Sequence, residues 1–195
     1  MAEKEVDKDV LRYFNGQRNQ SKNYFAFSAE WIGVTLTILT LLWSFGNYLP
    51  AVSYLLLIAF ICFVNNVAVN SKIIHEIDDG QLEELGDLSP WVSFAEATYS
   101  LGSTLVLTSF MIIFYSALQE DIWAPTIFLV VIWLMLGIYS GIRKKVNYKK
   151  RETEVTEVKR KSTSIKIFLY LIEIGFLVLL WLDYLAVLDW ISALM

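Results

Sequence analysis

Residues 51–70, AVSYLLLIAFICFVNNVAVN, decide the fold of this chain because twenty consecutive positions carry no charged side chain. A helix rises about 1.5 Å per residue, so the stretch spans about 30 Å, the thickness of the hydrocarbon core of a bilayer. Four further stretches have a comparable length and composition, at 25–49, 91–118, 122–142 and 167–191. The sequence therefore predicts an all-α polytopic integral membrane protein, a bundle of five transmembrane helices with short outer loops.

The composition excludes an ordinary soluble globular domain. Hydrophobic residues make up 56% of the chain, and the mean hydropathy is +0.50. The first apolar stretch follows a polar segment and is not followed by a small-residue cleavage motif, so we do not expect a cleaved signal peptide. One cysteine, Cys62, and one histidine, His75, provide no thiol pair and no His/Cys metal cluster. We expect no cofactor and no enzyme activity, since no catalytic motif accompanies them.

The positions of the basic residues predict the orientation. All 16 Lys and Arg residues lie before residue 25, at Lys72, or between Arg143 and Lys166, and five spans place these segments on one side. Basic residues favour the cytoplasmic side of a membrane. We therefore expect the N-terminus in the cytoplasm and the C-terminus outside, which in a prokaryote means the cell inner membrane.

The predicted cytoplasmic segments differ in charge. Residues 1–24 form an N-terminal segment whose short helical periodicity is compatible with an interfacial helix, and residues 25–195 form the membrane domain. Loop 71–90 is acidic and loop 143–166 is basic. The side chains that would contact lipid head groups or a cytoplasmic protein are Lys144, Lys145, Lys149, Lys150, Arg151, Glu83 and Glu84. The alternative is that both loops are simply solvated and that the basic one sets only the topology. Because no aromatic residues interleave these clusters in a recognisable module, we expect no nucleic-acid partner.

Polar side chains inside the predicted spans are the candidate site. They are Glu30, Asn65, Asn66, Glu96 and Glu173. Each lies six to eight residues, or about 9–12 Å, from a cytoplasmic boundary marker, which predicts one polar layer in the cytoplasmic half of the bundle. Carboxylate and amide oxygens suit hard cations, and converging carboxylates without a cation would favour proton binding. The ion, whether Na⁺, Mg²⁺, Ca²⁺ or a proton, stays open.

The surrounding residues predict that the layer faces protein. Glu30, Gly33, Thr37, Thr40 and Ser44 recur at helical spacing, as do Ser93, Glu96, Ser100 and Ser103. Gly137 and Gly141 form a small-xxx-small pair, which allows close helix packing. The alternative for the polar residues is that each is hydrogen-bonded and only fixes helix packing.

Two functions follow from these patterns. The first is a small ion-conducting or cation- or proton-binding protein, and five spans favour a homo-oligomer because one chain offers little room for a pathway. The second is a membrane-embedded sensor or scaffold subunit that docks a soluble cytoplasmic partner through its charged loops.

Overall fold

The structure is a computed structural model that describes residues 8–44, 50–78, 88–118, 121–148 and 158–187. Within them lie the helices α1 (Lys8–Ser44), α2 (Pro50–Asp78), α3 (Ser89–Ala117), α4 (Trp123–Tyr148) and α5 (Val158–Tyr184). The prediction of an all-α fold is confirmed for this part of the chain. Residues 8–24 of the predicted N-terminal segment continue directly into the first apolar stretch as part of α1.

The described helices are strongly apolar on the outside. Four segments are long and apolar enough to cross a membrane: Phe14–Ser44, Pro50–Asp78, Pro90–Ala117 and Ile167–Tyr184. The fifth apolar segment, Trp123–Ile138, is shorter. Large apolar side chains are exposed on every helix, among them Trp43, Ile61, Phe94, Leu134 and Leu171. Water is a poor solvent for such a surface, so the helices suggest insertion into a membrane.

Proline and aspartate mark three helix starts. Pro50 and Pro90 lie in the first turns of α2 and α3, where the N–H that proline lacks has no helical acceptor. Asp121 caps α4, since its Oδ1 accepts a hydrogen bond from the backbone N–H of Trp123 at 3.0 Å. These local signals place the helix starts close to the predicted boundaries.

The end of α5 is a Schellman motif, and it comes earlier than the predicted limit at residue 191. The N–H of Val187 donates to the carbonyl of Leu182 at 2.9 Å, and the N–H of Ala186 donates to the carbonyl of Asp183 at 2.9 Å. Ala186 has a φ of 55°, in the left-handed region that usually favours glycine. The motif satisfies the last carbonyls of α5 and stops the helix beside Asp183.

The described helices pack as two units. The first unit holds the described parts of Met1–Leu41 and Leu57–Gly102. Its aromatic rings interlock, with Trp31 stacked on Phe63 at 6.0 Å between centroids and Tyr99 edge-on to Phe63 at 6.1 Å. Gly102 lets α3 approach α2 closely, because a Cβ at this position would lie 3.0 Å from the buried ring of Phe63.

The second unit holds the described parts of Leu42–Leu56 and Ser103–Met195. Its core consists of five fully buried side chains, Met111, Tyr115, Ile122, Leu129 and Leu180. Rings from α4 and α5 pack around them, and Trp123 meets Trp181 edge-on at 5.8 Å. The core joins α3, α4 and α5 through apolar contact.

Within the first unit, the contact pairs give the helix directions. Residue numbers rise along α1 as they fall along α2, so these helices are antiparallel, whereas α1 and α3 are parallel. The α1–α2 pairs are Arg18 with Asp78, Ser28 with Asn66, and Trp31 with Phe63; the α1–α3 pairs are Gln20 with Glu96 and Tyr24 with Tyr99.

Within the second unit, the same reasoning makes α5 parallel to α3 and antiparallel to α4. The α3–α5 pairs are Thr104 with Glu173 and Tyr115 with Asp183, and the α4–α5 pairs are Trp133 with Glu173 and Trp123 with Trp181. Because α4 contacts α5 over these two levels, it runs beside an apolar helix that is long enough to cross a membrane.

Candidate functional site

The predicted polar residues occupy two separate environments, one in each unit. In the first unit, Asn66 is fully buried and is held by four neighbours. Its Oδ1 accepts hydrogen bonds from Ser28 Oγ at 2.7 Å and from Asn70 Nδ2 at 2.9 Å. Its Nδ2 donates to the carbonyl of Ala95 and to Thr98 Oγ1. An amide has two donor hydrogens and two acceptor lone pairs, so the hydrogen-bonding capacity of Asn66 is filled.

The remaining polar residues of the first unit are less enclosed. Glu96 is half-buried, and its Oε1 accepts a hydrogen bond from Gln20 Nε2 at 3.2 Å. Glu30 and Asn65 are exposed, and among the described residues neither has a hydrogen-bond partner. The structure therefore places Glu96 beside α1 and leaves Glu30 and Asn65 on the outer surface of their helices.

The two predicted polar stripes also differ. All five positions on α1, Glu30, Gly33, Thr37, Thr40 and Ser44, are exposed. Thr37 and Thr40 donate their hydroxyl hydrogens to backbone carbonyls of α1 itself, at 2.8 Å. The α3 stripe, Ser93, Glu96, Ser100 and Ser103, is half-buried. The expectation that a stripe faces protein thus suits α3 better than α1 within the described chain.

Of the predicted glycine pair on α4, only Gly137 has surroundings that the structure describes. Gly137 is exposed, and a Cβ there would meet no atom within 4 Å among the described residues. The side chains of residues 139–148 are not described, so Gly141, Lys144 and Lys145 are placed only as positions on α4. The remaining predicted contact residues, Glu83, Glu84, Lys149, Lys150 and Arg151, lie outside the described residues.

In the second unit, Glu173 on α5 is the enclosed carboxyl. Its side chain is buried, at 5% exposure, although four residues within one turn of it are exposed, namely Tyr170, Leu171, Ile174 and Gly175. Trp133 Nε1 on α4 donates to its Oε2 at 2.7 Å, and Thr104 Oγ1 on α3 donates to its Oε1 at 3.1 Å. Tyr170 packs edge-on against Trp133, with 5.9 Å between ring centroids, and closes one side of the indole.

These two partners can serve either charge state of Glu173. The indole N–H can only donate, whereas a threonine hydroxyl can donate or accept. An ionised Glu173 accepts both hydrogen bonds, and a protonated Glu173 can accept from Trp133 while donating to Thr104. Both charge states of the carboxyl therefore keep two hydrogen bonds.

Sequence reasoning missed three residues that matter here. Trp133 and Thr104 carry no signal in the sequence that links them to Glu173. Asp183 lies within the predicted fifth span, and the rule that an ionisable residue inside a membrane deserves scrutiny applies to it as it does to Glu173. In the structure, Asp183 Oδ2 accepts a hydrogen bond from the hydroxyl of Tyr115 at 3.0 Å.

Fold and polar sites together define an all-helical protein with four helices long and apolar enough to cross a membrane. The chain matches no protein-family model, no curated protein and no solved structure. Among the described residues, no three His, Cys, Asp or Glu side chains form a group that could hold a metal ion.

Proposed function

We propose that the protein binds and conducts protons in a membrane, with Glu173 as its proton-binding group. The observation that carries this proposal is the enclosure of Glu173 between two hydrogen-bond partners. Trp133 can only donate, whereas Thr104 can donate or accept. An ionisable residue on a membrane helix is costly unless it is partnered, and such residues commonly mark ion or proton pathways. Glu173 is such a residue, and its two hydrogen bonds offset the cost of burying it.

A proton suits this site better than a metal cation. Hard cations are held by several oxygen ligands, and the partner of Glu173 Oε2 is instead a nitrogen that presents a hydrogen. The positive end of that N–H dipole would repel a cation at the same oxygen. The proposal therefore narrows the wider expectation of an ion site to proton binding.

The proposed topology is five crossings with the N-terminus in the cytoplasm and the C-terminus outside. Alternating helix directions within each unit support it, because α1 and α3 oppose α2, and α5 opposes α4. The helix α4 has 26 residues, or about 39 Å, which is enough for a crossing. The distribution of Lys and Arg supports the orientation.

We also propose a homo-oligomer surrounded by lipid. Only 17% of the apolar window of α1 is buried within the chain, against 44% for α2, so α1 has surface available for other copies. Its exposed polar stripe, which includes Glu30, would be better accommodated beside protein than beside hydrocarbon.

The test of the proton function is flux into liposomes that contain the purified protein. A potassium diffusion potential drives protons inward, and a trapped pH-sensitive dye reports them. We expect wild-type flux above protein-free liposomes and a loss of that flux in Glu173→Gln. Glutamine keeps the shape and can still pair with Trp133 and Thr104, so the fold should survive.

Glu30→Gln is the matched control, because it removes the same charge from an exposed position. The proposal predicts that this variant retains most of the wild-type flux. Equal flux in wild type and Glu173→Gln would contradict the proposal, as would a wild type that conducts no protons over a range of voltage, pH and membrane tension.

The second candidate function is a sensor or scaffold subunit that docks a cytoplasmic protein. The observation in its favour is the filled hydrogen bonding of Asn66, which suits a rigid framework better than a pathway. This function predicts that charge reversal at Glu83 and Glu84, or at Lys149 to Arg151, abolishes activity in cells. It also predicts that Glu173→Gln leaves that activity unchanged.

A further inference from the structure

A second carboxyl in the second unit, that of Asp183, accepts a hydrogen bond from α3, as Glu173 does. Asp183 is half-buried at the end of α5, and the fully buried Tyr115 donates its hydroxyl hydrogen to Asp183 Oδ2 at 3.0 Å. Its position is well defined, because the backbone carbonyl of Asp183 also accepts a hydrogen bond within the Schellman motif that ends α5.

One face of α3 connects the two carboxyls. Thr104, Thr108, Met111 and Tyr115 follow one another at spacings of four, three and four residues, which places them on one side of a helix. All four are buried. The first pairs with Glu173 and the last with Asp183, so this face spans about 16 Å between the two carboxyls.

Apolar side chains fill the space between these levels. Met111 from α3, Leu129 from α4 and Leu180 from α5 are fully buried in one cluster, against which Phe176 and Leu177 pack. On α3, Met111 lies between Thr104 and Tyr115, and on α5, Leu180 lies between Glu173 and Asp183. On α4, Leu129 lies between Trp123 and Trp133. We call Met111, Leu129 and Leu180 the apolar plug.

We propose that Asp183, held by Tyr115, is a second proton-binding group that exchanges protons with Glu173 across the apolar plug. The inference rests on the proposed proton function of Glu173. With the C-terminus outside, Asp183 is the outer group and Glu173 the inner one. A proton taken up by the Asp183 carboxylate is passed to the Glu173 carboxylate through water that enters between them. The O–H bond at Asp183 breaks, one forms at Glu173, and each water in the relay accepts one proton and gives up another.

Tyr115 is suited to this role because its hydroxyl can donate or accept. It donates to an ionised Asp183 and can accept from a protonated one, as Thr104 can for Glu173. The plug keeps the two groups apart, so transfer requires water to enter between them. A closely packed apolar cluster between the two groups would thus limit proton passage to the times when water enters.

The experiment compares proton flux and carboxyl infrared spectra of Asp183→Asn, Asp183→Glu and Tyr115→Phe in liposomes, with helicity and elution volume as folding checks. We expect Asp183→Asn to lose the flux of the wild type and Asp183→Glu to restore most of it. Tyr115→Phe should reduce flux about tenfold, the change expected for one hydrogen bond to a charged group. The carboxyl infrared band of Glu173 is the band that Glu173→Gln removes. It should remain in all three variants.

The outcomes separate this inference from the function on which it rests. If Glu173→Gln abolishes flux while a folded Asp183→Asn conducts like the wild type, the second proton site is excluded and the function of Glu173 stands. If the wild type conducts no protons, both proposals fail together. A Glu173 band that disappears in Asp183→Asn would also overturn the inference, since the variant would then have disturbed Glu173 itself.

Discussion

Asn66 in the first unit and Glu173 in the second are both buried polar side chains on apolar helices, yet their surroundings differ. Asn66 has four hydrogen-bonding partners, and its amide gains or loses no proton under ordinary conditions. Glu173 has two partners, one of which can reverse its role. The first arrangement holds helices in place, whereas the second permits a change of charge.

Depth in a membrane helix does not by itself identify a functional group. What matters is how much of the hydrogen-bonding capacity is filled, and by which kind of partner. An amide whose hydrogen bonds are all made, such as that of Asn66, holds its neighbouring helices together. A carboxyl with a partner that can either donate or accept is the kind of group that the proposed proton function requires.

The largest effect that separates the two sites is expected from Asn66→Ala. The substitution removes four side-chain hydrogen bonds and leaves the Ser28 hydroxyl without its acceptor, although Asn70 Nδ2 keeps its bond to the backbone carbonyl of Asn66. We therefore expect a loss of about 2–4 kcal/mol in the free energy of unfolding. Unfolding by sodium dodecyl sulfate in mixed micelles, followed by helicity, measures it.

Asn65→Ala is the matched control for that substitution, because the neighbouring asparagine is exposed. Its effect should remain below about 0.5 kcal/mol. If the two alanine variants unfold alike, the interpretation of Asn66 as a structural link does not hold.

A smaller loss is expected where the first unit packs most closely. In Gly102→Ala the new Cβ would lie 3.0 Å from the buried ring of Phe63, which has little room to move. Overpacking of this kind costs about 1–3 kcal/mol, measured by the same unfolding assay. Gly137→Ala adds a methyl group in open space and should be neutral or slightly stabilising.

In the second unit, Trp133→Phe tests the fixed donor of Glu173. Phenylalanine keeps part of the ring packing and removes the N–H, so we expect a stability loss of about 1 kcal/mol together with reduced proton flux. The carboxyl infrared band of Glu173 should shift, since one oxygen loses its partner. Trp123→Phe, at an exposed ring, should change neither the band nor the flux.

The smallest effect is expected at the end of α5, where Ala186 adopts a positive φ. Ala186→Gly should stabilise the protein by about 0.5–1 kcal/mol, because glycine adopts this conformation without strain. Thermal unfolding in detergent measures the change, and a destabilised variant would contradict the assignment of the Schellman motif. Proton flux should be unaltered, which would separate global stability from the chemistry of Glu173.

Much of the helical framework could be predicted from local sequence properties. Long apolar stretches, the prolines at Pro50 and Pro90, and the acidic cap at Asp121 act within a few residues of where they stand. The predicted ends of the helices were less reliable. Residues 71–78, which include the charged Lys72, Glu76 and Asp78, continue α2 beyond its apolar stretch. The Schellman motif stops α5 before the predicted limit.

The faces of the helices could not be predicted as well. Asn65 and Asn66 are adjacent in the sequence and equally polar, but successive residues on a helix point about 100° apart, so one is exposed and the other buried. Which of them is buried depends on where α1 and α3 pack, and that information lies far away in the chain.

Three properties could be predicted without the structure: the all-helical fold, helices apolar enough to suggest a membrane, and the polar residues that interrupt them. These properties depend on composition and spacing along single segments. Three others required helix packing to be known: that all hydrogen bonds of the Asn66 amide are made, that Trp133 and Thr104 enclose Glu173, and that Tyr115 reaches Asp183. Hydrogen bonds act over about 3 Å between atoms from different helices, so they depend on packing that no single segment encodes.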